Sequence, residues 1–443
     1  MNVRTTKIAE QALALSKADQ TEVIVWAVDS ALTRFANNTI HQNVAEENAS
    51  VTVRAVVGKR IGAAGGNDVS KTGLKRLVAK AIEIATCQGE TEDFPGLPGR
   101  ASIVEVLGFS RETAALSPDE RAAAATAIIK PSAESGANAS GTVSNESSVL
   151  TVANSLGAAA SYRATQFEVS AVIEKGSGAG YAAGISIDHR HVDGKRIGAV
   201  ALEKCLASQD PIAVEPAEYT VVLEPQAVAG LVGYMAYMGF GAQSYSEGRS
   251  FISGRLGEKI MHESVSVWDD GLDSAGMPMP FDFEGQPKTR VSIIESGVAR
   301  NVVYDSYYGA KAGVQSTGHA MPPGFMGGPL PTNLFMAPGK SSIEEMIAST
   351  GRGLLVTRFH YVNIADPAKG VLTGLTRDGT FLIENGRVTR PVRNLRFTES
   401  MPRAFSAVEA LSRERTLEPE MLGAILAPAA KMARFRFTGT TEF

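Results

Sequence analysis

From Gly141 to Ile187 the chain is written in Ser, Thr, Val and Gly, in short runs where apolar and polar residues alternate. A period of two is what a half-buried strand requires, and runs punctuated by small turn residues predict a meander of antiparallel strands. Similar runs precede it. Val23 to Val28 reads as a buried strand, and Leu32 to His41 and Ser50 to Val57 continue as strands, broken at Asn37-Asn38 and at the polar stretch Glu46 to Ala49. Gly58-Lys59 is a hairpin signal before Arg60 to Ala64.

Helical patterns frame these strands. Met1 to Gln20 is amphipathic; Ser70 to Thr86 places Leu74, Leu77, Ala81 and Ile84 on one side. Ser117-Pro118-Asp119-Glu120 opens another helix with a capping residue and a first-turn proline, its body running from Arg121 to Ile129 with Pro131 shortly after. A further helix covers Gly194 to Leu206. The segment Ser208 to Glu218, with two prolines among small and polar residues, predicts a junction between domains at 1–210 and 218–443. Beyond it come a strand at Tyr219 to Leu223, an apolar helix from Gln226 to Gly239, then short strands and glycine-rich loops. Helices are expected there only near Ser342 to Ala348 and Ala404 to Ser412. The expected fold is α+β in two domains, each a mainly antiparallel sheet with packed helices, the C-terminal one richer in strand.

Composition narrows the function. Hydrophobic residues are 44% and charged residues 20% of 443, enough apolar surface for two cores. The formal net charge of -4 argues against a phosphate-neutralising nucleic-acid surface. Cys87 and Cys205 are far apart and read as reduced, packed thiols. The first helix lacks a signal-peptide core and no run of 18 apolar residues occurs, so a cytoplasmic protein is expected.

Most chemical motifs fail on inspection. Gly176 to Gly184 is glycine-rich after a strand, but a β-type segment follows instead of the helix that would hold a pyrophosphate, which predicts a tightly packed strand. Gly339-Lys340-Ser341 imitates the end of a phosphate loop, yet Leu334 stands where the first glycine is needed. No Gly-x-Ser-x-Gly elbow is present. His189 and His191 sit in a charged turn entering a helix. His262-Glu263 begins like a zincin motif, but Ser266 replaces the second histidine. His41, His319 and His360 are isolated.

Several phrases in order do carry a resemblance. They are Val221 to Leu231 (VVLEPQAVAGL), Ser250 to Ile260 (SFISGRLGEKI), Val265 to Gly271 (VSVWDDG), Phe281 to Gly285 (FDFEG), Asp366-Pro367, and Leu372 to Gly386 running into Pro391 and Asn394 to Phe397. Together they resemble the C-terminal domain of the TldD/PmbA family, also called modulator-of-gyrase proteins. Phe35 to Gly66 is similar to that family's first domain.

In that family TldD-type subunits carry His-Glu-x-x-x-His on the helix after the first strand of the second domain, with a later cysteine as third ligand. By the resemblance the histidines fall on Gly233 and Met238, the glutamate on Tyr234 and the cysteine on His360. No His, Glu, Asp or Cys lies between Gln226 and Ser246. A zinc site needs three protein ligands and an open position, and tyrosine does not replace a carboxylate base. The resemblance therefore implies the PmbA, or TldE, branch, with no metal, cofactor or catalytic residue of its own. Such a subunit would pair with a metal-carrying TldD-type subunit, or with itself, and the pair would cleave unfolded or extended peptides, in peptide maturation or antitoxin turnover. Gly233, Tyr234, Met238, Arg255 and His360 are expected around a cavity inherited from the catalytic branch. Two alternatives stand beside this: an active metallopeptidase with a relocated site using His262, His319 or His360, and a non-proteolytic homodimeric binding protein.

Overall fold

The computed structural model describes residues 2–440. Its first half is built on six antiparallel strands: β1 (Gln20–Ala36), β2 (Thr39–Val57), β3 (Arg60–Gly66), β4 (Asn138–Asn154), β5 (Ala159–Lys175) and β6 (Gly178–Ser186), in the order β3-β2-β1-β4-β5-β6. Asn37 and Asn38 both take positive φ, 50° and 59°, closing the β1–β2 hairpin as a two-residue turn requires. The expected break at Glu46 to Ala49 is absent. β1 and β2 pair without interruption there, Asp29 with Glu47 and Ser30 with Glu46. The backbone ladder continues because both side-chain faces of that stretch of β2 are exposed, so polarity costs nothing.

Helices α1 (Asn2–Leu15), α2 (Lys71–Cys87), α3 (Arg111–Ala114), α4 (Pro118–Glu134) and α5 (Gly194–Ala207) belong to this half. Ser70 caps α2, and Ser117 with Glu120 forms a full capping box on α4. α4 runs through Pro131 to Glu134 instead of ending before it, adding about one turn. α1 and α2 pack over Val23, Val25, Val51 and Val53; α4 and α5 pack over Phe35, Val143, Val169 and Ile173. The glycine-rich β6 is where α5 comes closest: a Cβ on Gly180 would lie 2.0 Å from the Ala201 carbonyl oxygen. That close approach explains the glycines without any nucleotide.

The opposite face of the sheet meets the second half, Ile24, Leu150 and Val152 packing with Phe281 and Phe283. Between the halves, residues 208–217 form neither helix nor strand; Ile212 is pinned by its N–H to the Pro391 carbonyl at 2.9 Å.

The second half contains β7 (Glu218–Leu223), β8 (Val267–Asp269), β9 (Val291–Glu295), β10 (Val298–Ala299), β11 (Asn333–Met336), β12 (Arg352–Asp366), β13 (Val371–Glu384), β14 (Arg387–Pro391), β15 (Leu395–Ser400), β16 (Val408–Glu420) and β17 (Gly423–Thr440). The strand order is β10-β9-β8-β11-β17-β15-β13-β12-β7, and β7 returns to pair with β17, so five strands close a ring. β7 runs parallel to β12, and β11 parallel to β17; the other pairings are antiparallel. The helices here are α6 (Pro225–Gly239), α7 (Ala242–Ser246), α8 (Ser306–Ala312), α9 (Ile343–Ala348) and α10 (Met401–Ser406). The helix expected to reach Ser412 stops at Ser406, and Val408 onward joins β16, because β17 supplies a partner for its backbone. The α+β class holds, with strand dominating the second half. No helix among the described residues is long and apolar enough to cross a membrane.

Candidate functional site

α6 carries Pro225 at its first position, where proline is pre-set for a helix. It is apolar nearly all round and most of its residues are buried, as expected for a helix enclosed by the strands it touches; these are mainly β12, β16 and β17. One stripe of it is different. Gly230 and Gly233, three apart and so on one face, lie under the carboxylate of Glu420 at the end of β16. A Cβ on Gly230 would stand 3.5 Å from one oxygen of Glu420, and one on Gly233 3.7 Å from the other.

Gly230 of this stripe floors a cavity of about 260 Å³, walled by Tyr234, His360, Tyr361, Arg358, Glu420 and Tyr181 of the first half. Each wall has a cause. Tyr361 adopts φ +48° where the β12–β13 register shifts between His360 and Asn363, so the bulge turns Tyr361 into solvent beside His360, ring centroids 4.2 Å apart. Arg358 donates from Nε to Asp378 at 2.7 Å and lies 3.9 Å over the Tyr181 ring, linking the two halves. Burial, with Arg358 and Arg377 nearby, lowers the His360 pKa and favours its neutral form. Burial, then Glu418, raises the Glu420 carboxyl to about 8; burial, then Glu420, raises the Tyr234 phenol.

The cavity is one end of a longer cleft between the halves. Tyr181 and Gln226 also line a cavity of about 760 Å³ bounded by Glu224 and Glu418, and Ile187 joins that one to an apolar cavity of about 380 Å³. The last is lined by Trp26, Leu150 and Tyr162, register neighbours on β1, β4 and β5, together with Met279, Phe283 and Met421.

Of the residues singled out in the sequence, Tyr234 and His360 line this cavity with Glu420, and Gly233 lies beneath the Glu420 carboxylate without lining it. Met238 is buried in the main core, and Arg255 is half-exposed and paired with Glu258 at 3.0 Å; neither lines this cavity. Tyr181, Arg358, Glu418 and Glu420 were not read as site residues. Their one sequence signal is Glu418-Pro419-Glu420, two carboxylates sharing a strand face.

The remaining histidines stand apart. His262 is half-buried, its Nδ1 2.9 Å from Ser264 Oγ. His189 and His191 form a short 3-10 turn capped by Asp188. His319 is fully buried, Nε2 2.8 Å from Asp269 Oδ1, while the Asn333 N–H donates to Asp269 Oδ2 at 2.6 Å. Burial alone would raise Asp269, but Lys288 and His319 beside it bring the carboxyl down to about 2. This network ties β8 to β11 and is closed to solvent.

Comparison with known proteins follows from this architecture. Residues 216–439, just over half of the chain, match the family model described as PmbA/TldA metallopeptidase C-terminal domain, and residues 22–85 match PmbA/TldA metallopeptidase domain 1. The chain belongs to the PmbA/TldA metallopeptidase family. A Methanocaldococcus jannaschii protein is 33% identical over 128 residues, 28% of this chain and 30% of that protein, so the match spans under a third of that relative. The metalloprotease PmbA homolog of Haemophilus influenzae is 24% identical over 439 residues, covering 88% of this chain and 91% of that one. The crystal structure of TldE from Thermococcus kodakarensis superposes with a TM-score of 0.87 at 22% identity, covering 98% and 99% of the two chains, which shows the same fold.

A PmbA/TldA metallopeptidase site implies a metal, and the α6 positions do not fit one here. Gly233 has no donor atom, Met238 is a core thioether, Tyr234 is a phenol held protonated, and His360 alone offers an imidazole. Among the described residues, no group of three or more His, Cys, Asp or Glu is arranged to hold a metal ion.

Proposed function

We propose that this PmbA/TldA family chain is the metal-free subunit of a TldD/TldE-type peptidase acting on unfolded or extended peptides. The observation that carries it is on α6: Gly233 lies under Glu420, and by the resemblance Gly233, Tyr234 and Met238 stand where the catalytic branch needs its His-Glu-x-x-x-His face. An imidazole at position 233 would meet both Glu420 and Ile425, whose Cδ1 is 3.3 Å from where a Cβ would be. The cleft supports the peptide part of the reading. It is an elongated, partly apolar trough between a sheet face and the second half, a shape that admits an extended backbone more readily than a compact molecule. In this role the chain binds and aligns peptide beside the catalytic partner's metal and excludes water around it.

The test is co-purification from the native cells with a TldD-type subunit, followed by peptide hydrolysis assays on each chain and on the mixture. Hydrolysis by the mixture and the partner's dependence on this chain are expected. Metal-dependent hydrolysis by this chain alone would replace the reading with a diverged active peptidase, and a self-paired chain that binds peptide without any partner would favour a binding protein.

A further inference from the structure

β16 ends in Leu417-Glu418-Pro419-Glu420, and alternation puts both glutamates on the face that meets the first half. Glu418 is only 6% exposed, yet its side chain lines the middle cavity of the cleft. It accepts no hydrogen bond among the described residues; the cation acting on it is Lys204. Lys204 is itself bound to the Glu224 carboxylate. Glu420 stands two residues on, in the adjoining cavity, over the two glycines of α6. A buried carboxylate without a partner is costly, and such groups in native proteins call for an explanation.

The other cations of this part of the cleft are committed or remote. Arg358 is held by Asp378 and Tyr181, and Arg415 donates to the Met336 carbonyl at 3.2 Å. Arg196 is exposed to solvent. Glu420 faces a volume of side-chain size walled by Tyr181, Tyr234, Phe359 and Tyr361, and Glu418 faces the adjoining cavity, which shares Tyr181 and Gln226 with it. Aromatic walls with a carboxylate at the base suit the aliphatic stem and cationic head of lysine or arginine, and suit an acidic or purely apolar side chain poorly.

We propose that Glu418 and Glu420 form a subsite for a cationic side chain, lysine or arginine, of the peptide lying in the cleft. The inference rests on the peptide-binding reading above and adds the chemical class of one residue in that peptide. Burial raises Glu418 to about 7, with Lys204 opposing and Glu224 adding, and burial, then Glu418, raises Glu420 to about 8, so a cation entering beside them would displace protons and be paired in one step.

The test uses the full chain, alone and with its TldD-type partner, and two short Gly/Ser peptides differing only in a central lysine or norleucine. Binding is measured by fluorescence anisotropy for the wild type and for Glu418→Gln/Glu420→Gln. The lysine peptide is expected to bind roughly tenfold or more tightly than the norleucine peptide, the worth of a charge-assisted hydrogen bond, and the double variant should lose that preference. Because the substitutions remove two acids whose charged forms burial disfavours, the variant should melt no lower than wild type, which shows that it folds. Equal binding of the two peptides to wild type, or a lysine preference that survives in the double variant, overturns the subsite and leaves peptide binding standing. Failure of both peptides to bind in either setting overturns the peptide reading and the subsite with it.

Discussion

Arg54 of β2 donates to Glu284, in the loop between β8 and β9, at 3.0 Å, across the seam that joins the two halves. The same NH2 group reaches Glu22 of β1 at 2.8 Å, and both carboxylates are almost wholly buried. One guanidinium thus compensates two acids from opposite sides of the molecule. Replacing Arg54 by Leu leaves both uncompensated, and removal of one partner of a buried pair costs about 3–5 kcal/mol. Denaturant unfolding at neutral pH should show a loss of that order, whereas a loss under about 1 kcal/mol, the worth of an exposed pair, would mean that the seam carries no such charge.

Stability should fall as pH rises from about 5 to 8. Glu22 is raised to about 7 by burial, with Arg54 opposing and Glu284 adding; Asp282 and Glu420 are raised to about 8 and Glu418 to about 7, all chiefly by burial. The ordinary value for glutamate is 4.5 and for aspartate 3.8. Between those values and the folded ones the native state holds more protons than the unfolded state, so unfolding becomes easier with rising pH. Their stabilising contribution is complete below pH 4 and gone above pH 8. Melting temperatures across this range should decline, with a shallower slope in Glu418→Gln/Glu420→Gln; an unchanged slope in that variant would show that the two acids titrate normally.

Asp269 acts in the opposite sense. Its carboxyl, brought down to about 2 by Lys288 and His319 against the effect of burial, supports the fold above pH 4 and loses that support as pH falls toward 2. Asp269→Asn should lower stability at pH 7 by about 3 kcal/mol, since Lys288 is left buried and less well compensated, and should narrow the gap to wild type near pH 2. A constant gap from pH 7 to pH 2 contradicts the assignment.

The chain purified alone should carry far less than one transition metal per molecule, because α6 offers no donor pair and His360 stands by itself. Elemental analysis giving about one zinc per chain, lost in His360→Ala, would show a ligand set drawn from elsewhere.

Brief proteolysis should cut first within residues 208–217, which lie outside helices and strands and are mostly exposed or half-exposed. Two resistant fragments are expected; an initial cut inside β4 or β13 would reject a division at that point.

Local chemistry was legible in the sequence wherever it decides the outcome. Ser70 and Ser117 start their helices, Asn37-Asn38 and Gly58 turn their hairpins, and the alternation after Gly141 is the pleat of β4 and β5. What failed to show is what a distant partner decides. Glu46 to Ala49 looks like a break and is strand because β1 lies beside it; Val408 to Ser412 looks helical and is strand because β17 does. The same holds at the site. Tyr234 and His360 could be placed through resemblance, while Glu418, Glu420, Arg358 and Tyr181 come from three separate strands and meet only in the folded chain.

The closed ring of five strands sets an order of events during synthesis. β7 is made early in the second half, yet its partners include Ala430 to Arg436 of β17, so its hydrogen bonds to β17, and the closing of the ring, must wait until nearly all of that half has left the ribosome. The first sheet meets no such delay, since β1 to β6 are complete by Ser186. During the interval its face bearing Ile24, Leu150 and Val152 lacks the phenylalanines that will cover it. A nascent chain at this stage is a natural client for a holding chaperone, and slow translation between β7 and β17 would lengthen its exposure to aggregation.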